Sequence, residues 1–235
     1  MENLRDQHLN KFYDLLSMLE KKLGGVRKLG ECHGRMDWPQ RGIYFFQEFG
    51  ETRSGTGNEN RIVRVGTHAL KFGSKTKLWS RLSQHKGVMK SGGGNHRGSI
   101  FRLIAGVSLI ERDGLDFPTW NQGNSAPREI REREHSLEQA VSRVIGEMPF
   151  LWLPINDAPG PESQRGYIER NAIALLSNFD KAPLDPASTS WLGHSCNRER
   201  VRKSGLWNSN HVHEVYNPAF LGALEVLITQ METET

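Results

Sequence analysis

Long apolar runs are missing from this chain. The longest, "MPFLWLPI" (148–155) and "LGALEVLI" (221–228), fall well short of the roughly 20 residues that cross a bilayer, and "MENLRDQHLNKF" at the start has no secretory apolar core. Cysteine is scarce too: Cys32 and Cys196 are the only two, which suits a reducing compartment and leaves at most one disulfide, required by nothing. These absences argue against a membrane-spanning or disulfide-stapled protein and set the expectation of a cytoplasmic one. Internal repeats and low-complexity tracts are also lacking. The 235 residues are enough to bury a substantial core, as one domain with additions.

The most informative absence is that of acid. From Asn60 through Ile110 there is no Asp or Glu, while Arg61, Arg64, Lys71, Lys75, Lys77, Arg81, Lys86, Lys90, Arg97 and Arg102 all fall there. The rest of the chain holds 21 basic residues against 27 acidic ones, so a formal charge of +4 conceals a segregated distribution. A concentrated positive segment makes a field that attracts polyanions, of which nucleic acid is the commonest. A merely solvated basic surface is the alternative.

The local pattern then supplies elements. Apolar residues at helical spacing over 3–23, stopped by Gly24 and Gly25, predict an N-terminal helix. "GIYFFQEF" (42–49) and "RIVRVGT" (61–67) read as strands joined by a long hairpin loop, "GETRSGTGNEN". A basic helix is expected at about 76–86, then a Gly-rich loop, and a third strand, "IFRLIAGVSLI" (100–110). The polar region 111–135 reads as irregular, with helix from Ser136 at least and Glu138 as a candidate capping-box partner. "PFLWLPI" reads as a buried strand, "YIERNAIALLSNF" as a buried helix carrying one acid, Glu169, and 218–231 as a closing helix.

Within "LWSRLSQHKG" (78–87), Arg81 and His85 stand four apart, so both project from one helix face with Lys86 beside them. In chain order the elements are a strand with Gly42-Ile43-Tyr44, a strand with Arg64-Val65-Gly66-Thr67, a helix with Arg81 and His85, a loop with His96 and a later helix with Glu169. This order resembles the GIY-YIG nuclease superfamily. Gly42-Ile43-Tyr44 matches the first motif letter for letter, and Arg64-Val65-Gly66 stands where "YIG" or "YVG" is usual. The resemblance covers about 40–180, with 1–39 as N-terminal helix and connector, 111–150 as an insertion, and 181–235 as a C-terminal extension.

The resemblance implies an α+β fold, a small and mainly antiparallel sheet flanked by helices, and a metal-dependent endonuclease acting on DNA. It assigns catalytic places to Tyr44, which takes the nucleophile's proton, and to Arg81, Arg64 and His85. Glu169 becomes the ligand of Mg²⁺ or Mn²⁺, and His96, Lys86 and Asn178 become substrate contacts. One carboxylate suits hydrated Mg²⁺, and a forked guanidinium at Arg81 suits the scissile phosphate.

The chain departs from the pattern in that Arg64 replaces the second tyrosine, so a decayed, non-catalytic nucleic-acid-binding module is the competing reading. The family's late Asn has no clear counterpart: Asn178 is one register and Ser190 the other. The chemistry of Cys32, His33, His194 and Cys196 also suits zinc, although the spacing matches no common finger. "RERVRKSGLWNSNHV" reads equally as a DNA contact or as a packed tail. The insertions favour restriction or phage defence over a repair subunit, and double-strand cutting by a one-site enzyme calls for a homodimer, for which no stretch identifies an interface.

Overall fold

The computed structural model describes residues 4–56, 59–88 and 91–231; Lys90 of the basic segment lies outside them. Four strands, β1 (Arg27–Lys28), β2 (Gly42–Thr52), β3 (Asn60–Gly66) and β4 (Pro149–Pro154), form one antiparallel sheet in the order β1-β4-β2-β3. Being central, β2 is buried on both faces over 42–47. That explains its near-continuous apolar run where a half-exposed strand would alternate. Ring contacts identify the faces. Phe45 meets Phe12 of helix α1 (Leu4–Lys22) on one. On the other, Tyr44 meets His85 of α2 (Leu78–Lys86), and Phe46 meets Phe101 of α3 (Ile100–Asp113).

The remaining helices among the described residues are α4 (Arg128–Arg133), α5 (His135–Gly146), α6 (Gln164–Leu176), α7 (Glu199–Ser204) and α8 (Ala219–Gln230). The α+β class with an N-terminal helix and a C-terminal helical segment is therefore as the sequence indicates. Both flanking helices, α1 and α8, pack into the same core as the sheet. No helix among the described residues is long and apolar enough to cross a membrane.

Residues 100–110 are helix, not the third strand expected of them. Ser99 caps it, its side chain accepting the Arg102 N–H, and Gly114 ends it in the left-handed conformation. The run is buried from Phe101 to Leu109 at every position but Leu103, so no period separates helix from strand. The hairpin loop is also shorter than expected, because β2 continues to Thr52 and β3 resumes at Asn60. Region 111–135 contains α4, and Glu138 does not cap α5: its carboxylate is committed elsewhere.

That commitment is to Arg102. The fully buried guanidinium donates to Glu138 Oε2 from Nε at 2.9 Å and from Nη2 at 2.5 Å, to the Glu138 carbonyl at 2.7 Å and to the His85 carbonyl at 2.9 Å. Glu138 Oε1 faces His96, whose N–H donates to it at 2.6 Å and whose Nδ1 lies 2.9 Å away. One ion pair thus ties α2, α3, α5 and the turn at 96–98 together. Other bases of the acid-free segment are likewise neutralised by acids from outside it, Arg61 by Glu51 and Arg97 by Glu134. The segregated charge of the sequence is therefore only partly a surface charge.

Removing one member of a buried pair strands the other. Glu138→Gln is expected to lose about 3–5 kcal/mol of unfolding free energy, and the double change Arg102→Met with Glu138→Leu to lose distinctly less. Urea melts of the two variants check this, and equal losses would contradict it.

Candidate active site

Two glycines make room for the centre. A Cβ at Gly42 would lie 2.6 Å from the Leu153 carbonyl oxygen. Gly66 pairs across the strands with Tyr44, and a Cβ there would lie 2.5 Å from the Tyr44 hydroxyl oxygen. Both glycines have ordinary φ, so it is space and not backbone freedom that excludes a side chain. The tyrosine ring fills what the missing Cβ leaves.

The Tyr44 hydroxyl lies 2.8 Å from His85 Nε2, and His85 Nδ1 lies 2.7 Å from Ser99 Oγ. Ser99 is also the cap of α3, and Arg102 holds the His85 carbonyl, so both ends of this histidine are fixed by one neighbouring element. Burial, reinforced by the charges of Arg81, Arg64 and Arg102, holds the His85 imidazole well below its ordinary pKa. It is accordingly neutral near pH 7 and able to accept a proton at whichever nitrogen carries none.

In front of Tyr44 opens a cleft of about 250 Å³, walled also by Arg64 of β3, Arg81 of α2 and Glu169 of α6. Arg64 donates to the Trp207 carbonyl and lies 4.6 Å over the Phe101 ring, while its buried Nε has no hydrogen-bond partner. Arg81 donates to Gln84 and to the Gly98 carbonyl. Glu169 Oε1 accepts the Thr67 N–H at 3.0 Å, and the Thr67 hydroxyl donates to the Gly42 carbonyl at 2.8 Å, which locks the two motif strands to the carboxylate.

No ion pair satisfies Glu169 among the described residues. The neighbouring Arg165 pairs with Asp157 and Arg170 with Glu214. Burial raises the Glu169 pKa, and the Thr67 N–H with the charges of Arg64, His211 and Arg81 only partly offsets it.

Four sequence candidates do not line this cleft: His85, fully buried and joined to it through Tyr44, and three that stand apart. Lys86 is buried and donates to the Cys32 carbonyl. His96 is buried, stacked on Trp120 at 3.8 Å and held by Glu138. Asn178 binds a turn through Leu184 and accepts from Arg5. The other register of the late Asn, Ser190, hydrogen-bonds Ser188. The Gly-rich loop left the environment of His96 open, and the fold shows Glu138 of α5 holding it.

The cleft has one wall that the motif order does not supply, residues 208–211 of the C-terminal segment. Asn208 straps it to β3, donating to the Val65 carbonyl at 2.8 Å and accepting the Val65 N–H at 3.1 Å. Ser209 Oγ is buried without a partner, and His211, at φ +63°, bonds Glu214 at 2.7 Å. The asparagines of "NSNH" were the available signal.

No group of three or more His, Cys, Asp or Glu among the described residues is arranged to hold a metal ion, which leaves Cys32, His33, His194 and Cys196 unassembled. Glu169 fits a different kind of site: a single carboxylate, one oxygen steadied by a backbone N–H, with no ion pair among the described residues. Such a donor set suits a divalent ion that keeps most of its waters.

A family model described as GIY-YIG domain matches residues 3–234, and the chain belongs to this family. The match runs through the N-terminal helix and the C-terminal segment as well as the motif strands. Membership carries nuclease activity as the family's general function. No curated protein and no solved structure matches the chain.

Two measurements follow from the charge states. A carboxylate with a raised folded-state pKa favours folding at low pH and loses that contribution as pH rises above the unfolded value of about 4.3. Glu169→Gln is therefore expected to raise the thermal midpoint at neutral pH, with the gain vanishing in acid; a lowered neutral midpoint would sink the assignment. For His85, NMR is expected to show no titration as pH falls through about 6.5, the ordinary histidine value.

Proposed function

We propose that this GIY-YIG protein is an endonuclease hydrolysing phosphodiester bonds in DNA with Mg²⁺ or Mn²⁺. What carries the reading is that Tyr44, Arg64, Arg81 and Glu169, from four separate elements, line one cleft. A decayed module has no reason to keep these four groups facing one another. Restriction or phage defence is the role we propose with it, on the sequence reading that 111–150 and 181–235 extend a minimal family core.

The chemistry assigned to each residue follows from its surroundings. With Nδ1–H of His85 donating to Ser99, Nε2 accepts the Tyr44 hydroxyl. A water attacking phosphorus passes its proton to the Tyr44 oxygen as that oxygen's own proton moves to His85. The phenol is thereby restored and the charge rests on imidazole. Arg81 and Arg64 line the cleft that would receive the phosphate, and Arg64 brings a permanent positive charge in place of the hydroxyl that a second tyrosine would bring. Glu169 would hold the metal, which when bound stabilises charge developing on the phosphoryl and leaving oxygens.

Supercoiled plasmid tests the reading. The wild type is expected to cut with Mg²⁺ and not with EDTA, Glu169→Ala to be inactive, and Tyr44→Phe to lose about 10²–10⁴ in rate with DNA binding retained. Equal cutting by wild type and Glu169→Ala would show the site to be misassigned. Binding without cleavage of DNA or RNA would return the protein to the class of binding modules.

A further inference from the structure

The loop between β3 and α2 carries a surface that the cleft does not use. Its root is fixed: the Thr67 N–H is bonded to Glu169, the His68 carbonyl accepts from Arg165, and at the far end the Leu78 N–H donates to the Gln40 carbonyl. Leu70 lines the cleft. Two residues further on, Phe72 is 91 % exposed, next to Gly73 in the left-handed conformation, and Lys71, Lys75 and Lys77 are exposed around it.

None of these lysines forms an ion pair among the described residues, unlike Arg61, Arg97 and Arg102 of the same acid-free segment. Arg61, Arg97 and Arg102 are each reached by an acid, and the buried Arg64 and Lys86 by a backbone carbonyl; among the described residues the three exposed lysines are met by no acid. A scattered exposed apolar residue needs no explanation, but an exposed phenyl ring in one short loop with three exposed lysines, two residues beyond the cleft-lining Leu70, combines two features that serve one partner.

We propose that loop 70–77 is a duplex-DNA wedge: Lys71, Lys75 and Lys77 bind backbone phosphates, and Phe72 inserts at a base step, unstacking it beside the scissile phosphate. This rests on the nuclease reading above and adds how the substrate is gripped. Charge complementarity selects the partner, since a polyanion alone satisfies three lysines at once. The ring selects bases over a bare phosphate chain. The loop leaves β3 at the residue holding Glu169 and enters the helix bearing Arg81, so a strand distorted by Phe72 is distorted where those two residues meet it.

The test is binding in EDTA to a duplex carrying 2-aminopurine, with titrations at several salt concentrations. The wild type is expected to bind and raise 2-aminopurine fluorescence at one step. Phe72→Ala should abolish that rise and weaken binding by about tenfold, with the salt dependence unchanged. Lys71→Gln, Lys75→Gln and Lys77→Gln combined should reduce the slope of log K against log salt by about 2 to 3.

Both variants alter exposed side chains, and their melts should match the wild type. Binding by the wild type with both variants unaltered would overturn the wedge and leave the nuclease reading standing. No binding by the wild type would overturn both. Self-association of the wild type that is lost in Phe72→Ala, with DNA binding unchanged, would reassign the loop as a contact between copies of the chain.

Discussion

A charged pair in the interior organises the catalytic side of this molecule. Arg102 and Glu138 satisfy one another and, with what remains of their hydrogen-bonding capacity, take hold of the His85 carbonyl and His96. Such a pair contributes little net stability over an apolar replacement, because desolvation cancels most of the attraction. Its geometry is the useful product. Guanidinium and carboxylate accept few arrangements, so the placement of α2, α3 and α5 is one that leaves both members of this pair satisfied. That placement sets His85 behind Tyr44.

The two name-giving motifs read as constraints of volume once the structure is in view. Gly66 is where the Tyr44 ring lies, and Gly42 is where β4 passes close. Thr67, next after the second motif, spends its hydroxyl on the first strand and its N–H on Glu169. The replacement of the second tyrosine by Arg64 leaves this framework untouched, because the architecture needs the glycine at 66, and residue 64 is free to bring a donor instead. Glu169, a half-buried carboxylate with no ion pair among the described residues, carries the local cost in this cleft, its pKa raised by desolvation.

Charge was the sequence signal most easily over-read. Ten bases without an acid in 60–110 suggest a broad positive face, yet Arg61, Arg97 and Arg102 are buried and paired with acids brought from other parts of the chain. Lys86, adjacent to His85, turns away from it to a backbone carbonyl. Among the described residues, the bases of this segment that remain exposed and outside any ion pair are concentrated in the loop that enters α2. Proximity in sequence predicts which residues share an element, but the counter-ion of a buried base is a tertiary fact.

The sequence by itself determined the motif strands, the helix with Arg81 and His85 and the helix with Glu169, because period, glycine placement and order along the chain are local properties; the α+β class came with the family resemblance which that order carries. It could not decide 100–110, which is apolar almost all round and carries no period to read. Nor could it find the cleft wall at 208–211, which reaches β3 only because Asn208 hydrogen-bonds a strand edge far away in the chain. His96 and Asn178 were assigned from the family resemblance, and the structure holds them in other hydrogen-bond networks. Chain order selects the groups available for chemistry; long-range packing and the pairing of buried polar atoms decide which of them meet.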